Sequence, residues 1–223
     1  MQHTEMNTYH LFNLANTVSI GNTYLAELRD VEIQKDALRF RRNLERLGEC
    51  LAYELSKSLL YQNREVQTPL GTASCQVLED QPVLGCILRA GVPLQQGLLN
   101  VFDRAASCFI GSYRKVKKSG DFVIQMDYVS APNLNNKVLI MCDPMLATGQ
   151  SMVVCCKELM STYNIKELHV VSAIASTEGI AHVRANFPNA KIWVGAIDQE
   201  MTTKAYIVPG LGDAGDLAYG EKI

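Results

Sequence analysis

Lys137-Val-Leu-Ile-Met-Cys-Asp-Pro-Met-Leu-Ala-Thr-Gly-Gln-Ser151 is the stretch that decides the fold. Val138 to Met141 form the short apolar run that a strand buried on both faces needs. Asp143 comes next, and Pro144 cannot continue a central strand. Thr148 and Gly149 make a tight polar turn. Ser151 is expected to cap a helix in which Met152, Val153, Cys156, Leu159 and Met160 recur at helical spacing. The order is therefore strand, acidic tip, small-residue loop, helix. Free N–H groups and the dipole at such a helix start favour a phosphate. An acid at the strand tip can accept hydrogen bonds from sugar hydroxyls, or stand near a metal held by phosphates. No Gly-Lys-Ser/Thr occurs, so this is not that kind of nucleotide loop. Taken alone, the stretch reads equally well as an ordinary strand–turn–helix with a solvated Asp143.

The same order recurs on both sides. Pro82-Val-Leu-Gly-Cys-Ile-Leu88 predicts a buried strand, followed by Arg89-Ala-Gly91 and a helix from Pro93 to about Phe102. An Arg among free backbone donors suits a diphosphate, although Arg89 alone reads equally as a surface arginine. Cys108 to Tyr113 predicts a strand, Arg114-Lys-Val-Lys-Lys-Ser-Gly120 a basic loop that could close as a lid, and Phe122 to Val129 its second strand. Glu167 to Ala175 and Lys191 to Ile197 are further strands, separated by a helix from Thr177, its expected N-cap, to Asn186. Upstream, Phe40, Leu44, Leu47, Leu51, Leu55 and Leu59 place a helix within 30–60. Residues 1–24 show no period, as a loose terminus or an arm on a partner would. Strands alternating with helices predict an α/β fold with a parallel sheet flanked by helices, and a ligand at the carboxyl ends of the strands, where Arg89 and Asp143 both fall.

The 223 residues make one domain, 48% hydrophobic and 20% charged, with net charge −2. That balance gives no case for a nucleic-acid partner, and no run is long enough to suggest a membrane partner. The N-terminus lacks the layout of a secretion signal. Seven cysteines without a Cys-x-x-Cys pair read as reduced thiols of a cytoplasmic protein. Arg39, Arg41, Arg42 and Arg46 cluster, most simply as a solvated helix face paired with Glu45 and Glu49.

Tyr206-Ile-Val-Pro-Gly-Leu-Gly-Asp-Ala-Gly215 contains Gly-x-Gly-x-x-Gly, but eight residues remain after it and the fingerprint must open a helix within a βαβ unit. It reads instead as an irregular loop whose backbone can approach a small planar ligand.

Asp143-Pro-Met-Leu-Ala-Thr-Gly-Gln-Ser151, Ile87-Leu-Arg-Ala-Gly91 and Tyr206–Asp216 together resemble, in order, the three motifs of uracil phosphoribosyltransferases of the type I phosphoribosyltransferase superfamily. The resemblance runs from about Gly48 to Gly220. It implies a single phosphoribosyltransferase domain over 1–223, with 1–30 as an N-terminal arm, 196–223 as a uracil-binding hood segment, and an extended β-arm around Gln67–Thr72 used between subunits. It implies the reaction of uracil with 5-phosphoribosyl 1-diphosphate (PRPP) to give UMP and diphosphate. Arg89, Arg114, Asp143 and Asp213 would be catalytic. PRPP would lie on Arg89, Arg114, Asp143, Pro144, Met145, Leu146, Ala147, Thr148, Gly149, Gln150, Ser151 and Asp213, and uracil on Ile207, Gly212, Asp213 and Ala214. Mg²⁺ would be held by PRPP and not directly by protein. A homodimer or homotetramer is implied, and GTP is an effector in some relatives. Gln150 departs from a Gly that is usual there, and Leu217 from a basic residue. A second outcome within the superfamily is a pyrimidine-operon regulator that binds RNA, with the arginine clusters as its contact.

Overall fold

The computed structural model describes residues 10–116 and 122–221, with 113–116 and 122–125 described as backbone only. In chain order the elements are β1 (Leu11–Asn13), α1 (Ile20–Arg29), α2 (Ala37–Ser56), β2 (Tyr61–Thr68), β3 (Gly71–Leu78), β4 (Val83–Leu88), α3 (Gly91–Val101), β5 (Ala106–Val116) and β6 (Phe122–Ser130). There follow β7 (Val138–Cys142), β8 (Met145–Leu146), α4 (Gln150–Thr162), β9 (Glu167–Ser176), α5 (Thr177–Asn186), β10 (Lys191–Asp198), β11 (Glu200–Met201), β12 (Ile207–Val208) and α6 (Ala214–Tyr219).

The main sheet runs β1-β10-β9-β7-β4-β5-β6, with β8 also pairing with β9. Every neighbouring pair is parallel except β5 and β6. Period-two alternation gives it two buried faces. Leu84, Cys86, Ile140 and Cys142 join the core under α2 and α3. Val83, Ile87, Leu139 and Met141 join the core under α4 and α5. The expected α/β architecture of a parallel sheet between helix layers is thus present. Strand order sets the site: after β4 the chain places β5 on one side and β7 on the other. The first turns of successive crossovers therefore diverge between β4 and β7, which opens a crevice at their carboxyl ends.

Several local expectations shift. Within residues 1–24, expected to be unpatterned, Leu11–Asn13 supply a parallel edge strand on β10, and a helix begins at Ile20 and goes on to bury Leu25 and Leu28. The strand is three residues long, too short to show alternation. The α2 helix begins at Ala37 because Asp36 caps it, accepting from the N–H groups of Leu38 and Arg39. The N-cap of α5 is Ser176, not Thr177, and its hydroxyl accepts from Gly179 N–H. The N-cap of α4 is Gly149, and Ser151 is already inside the helix. The glycine-rich tail is not wholly irregular, because it ends in α6.

Strands β2 and β3 form an antiparallel hairpin, exposed along most of its length. Leu70 at its tip is 99% exposed.

Candidate active site

At the carboxyl ends of β4 and β7 lies a cavity of about 540 Å³. It is walled by Arg89 and Ala90 after β4, by Asp143, Pro144, Met145, Ala147 and Ser151 after β7, and by Gly212, Asp213, Ala214 and Gly215 from the tail. Residues more than 120 positions apart thus face one space. The fold brings together nine of the expected residues: Arg89, Asp143, Pro144, Met145, Ala147, Ser151, Gly212, Asp213 and Ala214. Leu146, Thr148, Gly149, Gln150 and Ile207 do not line it; Leu146 and Ile207 are core residues. Arg114 stands in β5 in register with Ile124. Its side chain, and the loop expected to form a lid, lie outside the described residues.

The loop after β7 is fixed from below. Asp143 N–H donates to Val171 C=O, and Asp143 C=O accepts from the Ser172 hydroxyl at 2.7 Å. Pro144 C=O accepts from Ile174 N–H. The Ser176 hydroxyl donates to Ala147 C=O. Strand β9 therefore carries the acidic loop along its whole upper end. Beneath it, Cys86 and Cys142 are fully buried in register across β4 and β7. Burial, with the nearby Asp143 charge, pushes the Cys86 thiol up to about 12. Burial, with Cys86 and Asp143 nearby, also raises the Cys142 thiol well above its ordinary value. These are packing thiols, not nucleophiles.

Gly149 has φ of +72°, the left-handed region, and a Cβ there would stand 2.8 Å from Gly179 C=O. It is the residue of this turn for which glycine is required. Gln150 is the first residue of α4 and is not among the positive-φ residues. Gly149 has no side chain to cap α4; Gln150 N–H reaches the Thr148 hydroxyl at 3.4 Å, and the N–H groups of the first turn have no intrahelical acceptor.

In the tail, Asp213 is the N-cap of α6, its Oδ1 accepting from Gly215 N–H at 2.9 Å and Asp216 N–H at 3.1 Å. Strands β11 and β12 pair as a small hairpin whose tip carries Lys204, Ala205 and Tyr206 over the cavity. Thr202 N–H donates to Tyr206 C=O, and Ala205 N–H to Thr202 C=O. Sequence reading missed Lys204, whose only signal was the short polar run Thr202-Thr-Lys204. It also missed Ser112, which lines the cavity from β5 where the β5–β6 register shifts.

A brace outside the cavity went unread as well. Arg29 of α1 donates to both oxygens of Asp198, each at 2.8 Å, and to Gly210 C=O at 2.9 Å. Asp198 also accepts from Gly210 N–H at 2.9 Å. Burial raises the Asp198 carboxyl, but the Arg29 and Gly210 hydrogen bonds outweigh it and leave it below the usual range.

Among the described residues, the lining side chains supply the carboxylates of Asp143 and Asp213 and no thiol or imidazole. Such hard oxygen donors fit a Mg²⁺ ion carried in on a diphosphate.

A family model described as uracil phosphoribosyltransferase matches residues 19–221. A Porphyromonas gingivalis protein named uracil phosphoribosyltransferase is 50% identical over 206 residues, 92% of this chain and 95% of that one. A Thermococcus gammatolerans protein of the same name is 37% identical over 88% of this chain and 87% of that one. The solved structure of the AQ2163 protein from Aquifex aeolicus superposes with a TM-score of 0.84 at 30% identity, covering 96% of this chain and 99% of that one.

Proposed function

The chain belongs to the uracil phosphoribosyltransferase family, a family of pentosyltransferases, and on that premise we propose which of its residues join uracil to PRPP with release of diphosphate. The observation that carries the reading is the single cavity onto which Arg89, Asp143, Ser151 and Asp213 all open.

The chemistry is transfer of a ribosyl C1 from a diphosphate oxygen to uracil N1, whose proton leaves to the departing diphosphate or to solvent. The C1–O bond loosens, C1 gains oxocarbenium character, and negative charge grows on the diphosphate. Little covalent work is left to the protein, which positions the reactants and meets the growing charge. Arg89 stabilises the leaving diphosphate, and Arg114 is assigned the same task. Asp143, held through its backbone by β9, accepts the ribose hydroxyls and faces the developing positive charge at C1. The loop from Ala147 to Ser151 and the start of α4 take the 5′-phosphate, where N–H donors and the helix dipole favour an anion. Gly212, Asp213 and Ala214 present backbone and carboxylate groups to the uracil edge, while Ile207 stays in the core. When bound on PRPP, Mg²⁺ would add positive charge at the diphosphate oxygens, with the carboxylates of Asp143 and Asp213 near it through water.

The exposed Tyr61–Leu78 hairpin with its apolar tip supports a homodimer or homotetramer built through this arm. The regulator reading is not favoured. Arg39 and Arg42 pair with Glu27 and Glu45, and Arg41 donates to Ala218 C=O, so much of the basic cluster is used inside the fold. No described helix is long and apolar enough to cross a membrane.

The test of these roles is UMP formation from uracil and PRPP by wild type and Asp143→Ala. The expected result is robust wild-type turnover and a loss of at least tenfold in the variant with its thermal unfolding unchanged. Unchanged turnover in Asp143→Ala would remove Asp143 from the mechanism.

A further inference from the structure

Arg89 is held from the tail side. Its Nη2 donates to Asp216 Oδ1 at 3.2 Å and its Nη1 to Gly220 C=O at 3.2 Å, while its Nε is buried without a partner among the described residues. Both acceptors belong to α6 or its C-terminal cap. The start of the same helix is Asp213, whose carboxylate caps it. A second arginine pins the helix from the other side: Arg41 of α2 donates to Ala218 C=O at 2.6 Å and lies 5.7 Å over the Tyr219 ring. Two cations at the carboxyl end of α6 are also favoured by its dipole.

We propose that Asp216 is a positioning residue for the transfer reaction: it orients the Arg89 guanidinium for the diphosphate, and through α6 it ties that cation to Asp213 at the uracil end of the cavity. The inference rests on the assignment of Arg89 to the diphosphate. Its physical basis is the fixed fork of the guanidinium. Two of its five N–H donors are spent on Asp216 and Gly220, which fixes the plane of the group. Three donors, the buried Nε among them, are left over, and Arg89 lines the cavity. Without Asp216 the long side chain regains rotamer freedom, and a ligand must then order it on binding. Asp216 itself is absent from the cavity wall, so its effect passes through Arg89.

The experiment is steady-state kinetics of Asp216→Ala and Asp216→Asn, alone and with Arg89→Lys, together with inhibition by inorganic diphosphate. Expected for Asp216→Ala is a PRPP KM at least tenfold higher, an equal weakening of diphosphate inhibition, and a uracil KM within about twofold at saturating PRPP. In the Arg89→Lys background the Asp216 change adds less than twofold, a non-additivity that a merely structural role would not produce. Asp216→Asn keeps size and an acceptor oxygen and gives an intermediate loss. It carries the same test should Asp216→Ala fail to fold. Unchanged or tighter PRPP and diphosphate binding in both variants would overturn the proposal. Absence of uracil-dependent turnover in wild type would instead overturn the reading on which it rests.

Discussion

Arg29 and Asp198 meet through both terminal guanidinium nitrogens and both carboxylate oxygens at 2.8 Å, and each of them also binds the backbone of Gly210. A helix near the start of the chain thereby holds the loop that leads into the tail residues proposed to bind uracil. Gly210 has φ of +59°, so the loop takes a sharp course that the brace keeps in one conformation.

Asp198→Asn leaves Arg29 only partly buried but without its charge partner. Stability should fall by about 2 kcal/mol, the range for losing charge-assisted hydrogen bonds, which lowers Tm by roughly 4–8 °C in a chain of this size. The uracil KM should rise more than the PRPP KM, because the loop feeds Gly212 and Asp213. Calorimetry and two-substrate kinetics check both. Asp198 is held below its ordinary 3.8. Its contribution is therefore complete above that pH and is lost as pH falls through the folded value.

Gln150 is harmless where it stands and Gly149 is not replaceable. The positive φ belongs to Gly149, and Gln150 opens α4 in ordinary helical geometry. Gln150→Gly should leave kcat/KM for PRPP within about twofold. Gly149→Ala pays about 1–2 kcal/mol for a left-handed alanine and also meets Gly179 C=O at 2.8 Å. Its PRPP KM should rise at least tenfold. A large gain from Gln150→Gly would show that the loop works in a different conformation.

Acid should weaken the fold from the opposite end of the sheet. His169 is fully buried, its Nε2 paired with Glu167 at 2.7 Å and its Nδ1 receiving the Trp193 indole N–H at 3.1 Å. That indole fixes the neutral tautomer, since a proton on Nδ1 would set two donors against each other. Burial lowers the His169 pKa below 6.5, against the pull of Glu167 and with the push of Lys191. Burial lowers His10, on the other side of Trp193, as well. Both folded-state values lie below the unfolded ones, so stability is complete above pH 6.5 and falls as pH drops below it. Glu167, held at about 2 by its His169 hydrogen bond and by Lys191, adds a further loss below 4.5. Urea midpoints should be level above pH 7 and decline through pH 6 and 5. His169→Gln should flatten part of that slope, and a slope unchanged in the variant would clear His169 of the effect.

Much of this was legible because it was local. The apolar runs at Val83–Leu88 and Val138–Cys142 are buried on both faces, so they read as uninterrupted strands. Arg89 and Asp143 sit one residue past those strands, and parallel pairing puts them at one edge. What the chain did not disclose depends on contacts at long separation or on caps. Arg29 and Asp198 are 169 positions apart. Ser176 outcompeted Thr177 as a cap because it is the last residue of β9, with extended backbone from which its hydroxyl reaches Gly179 N–H. Lys204 reaches the cavity only because the β11–β12 pairing folds its short loop over the edge. Ser112 arrives there through a register shift that no pattern in the strand announces.

The central claim is that one cavity joins uracil to PRPP. The most direct measurement is diphosphate release from PRPP and Mg²⁺ with uracil, cytosine, hypoxanthine or no base. Release that requires uracil, with the other three at background, is the predicted result. Equal release with every base, or none with uracil while PRPP still binds, would contradict it.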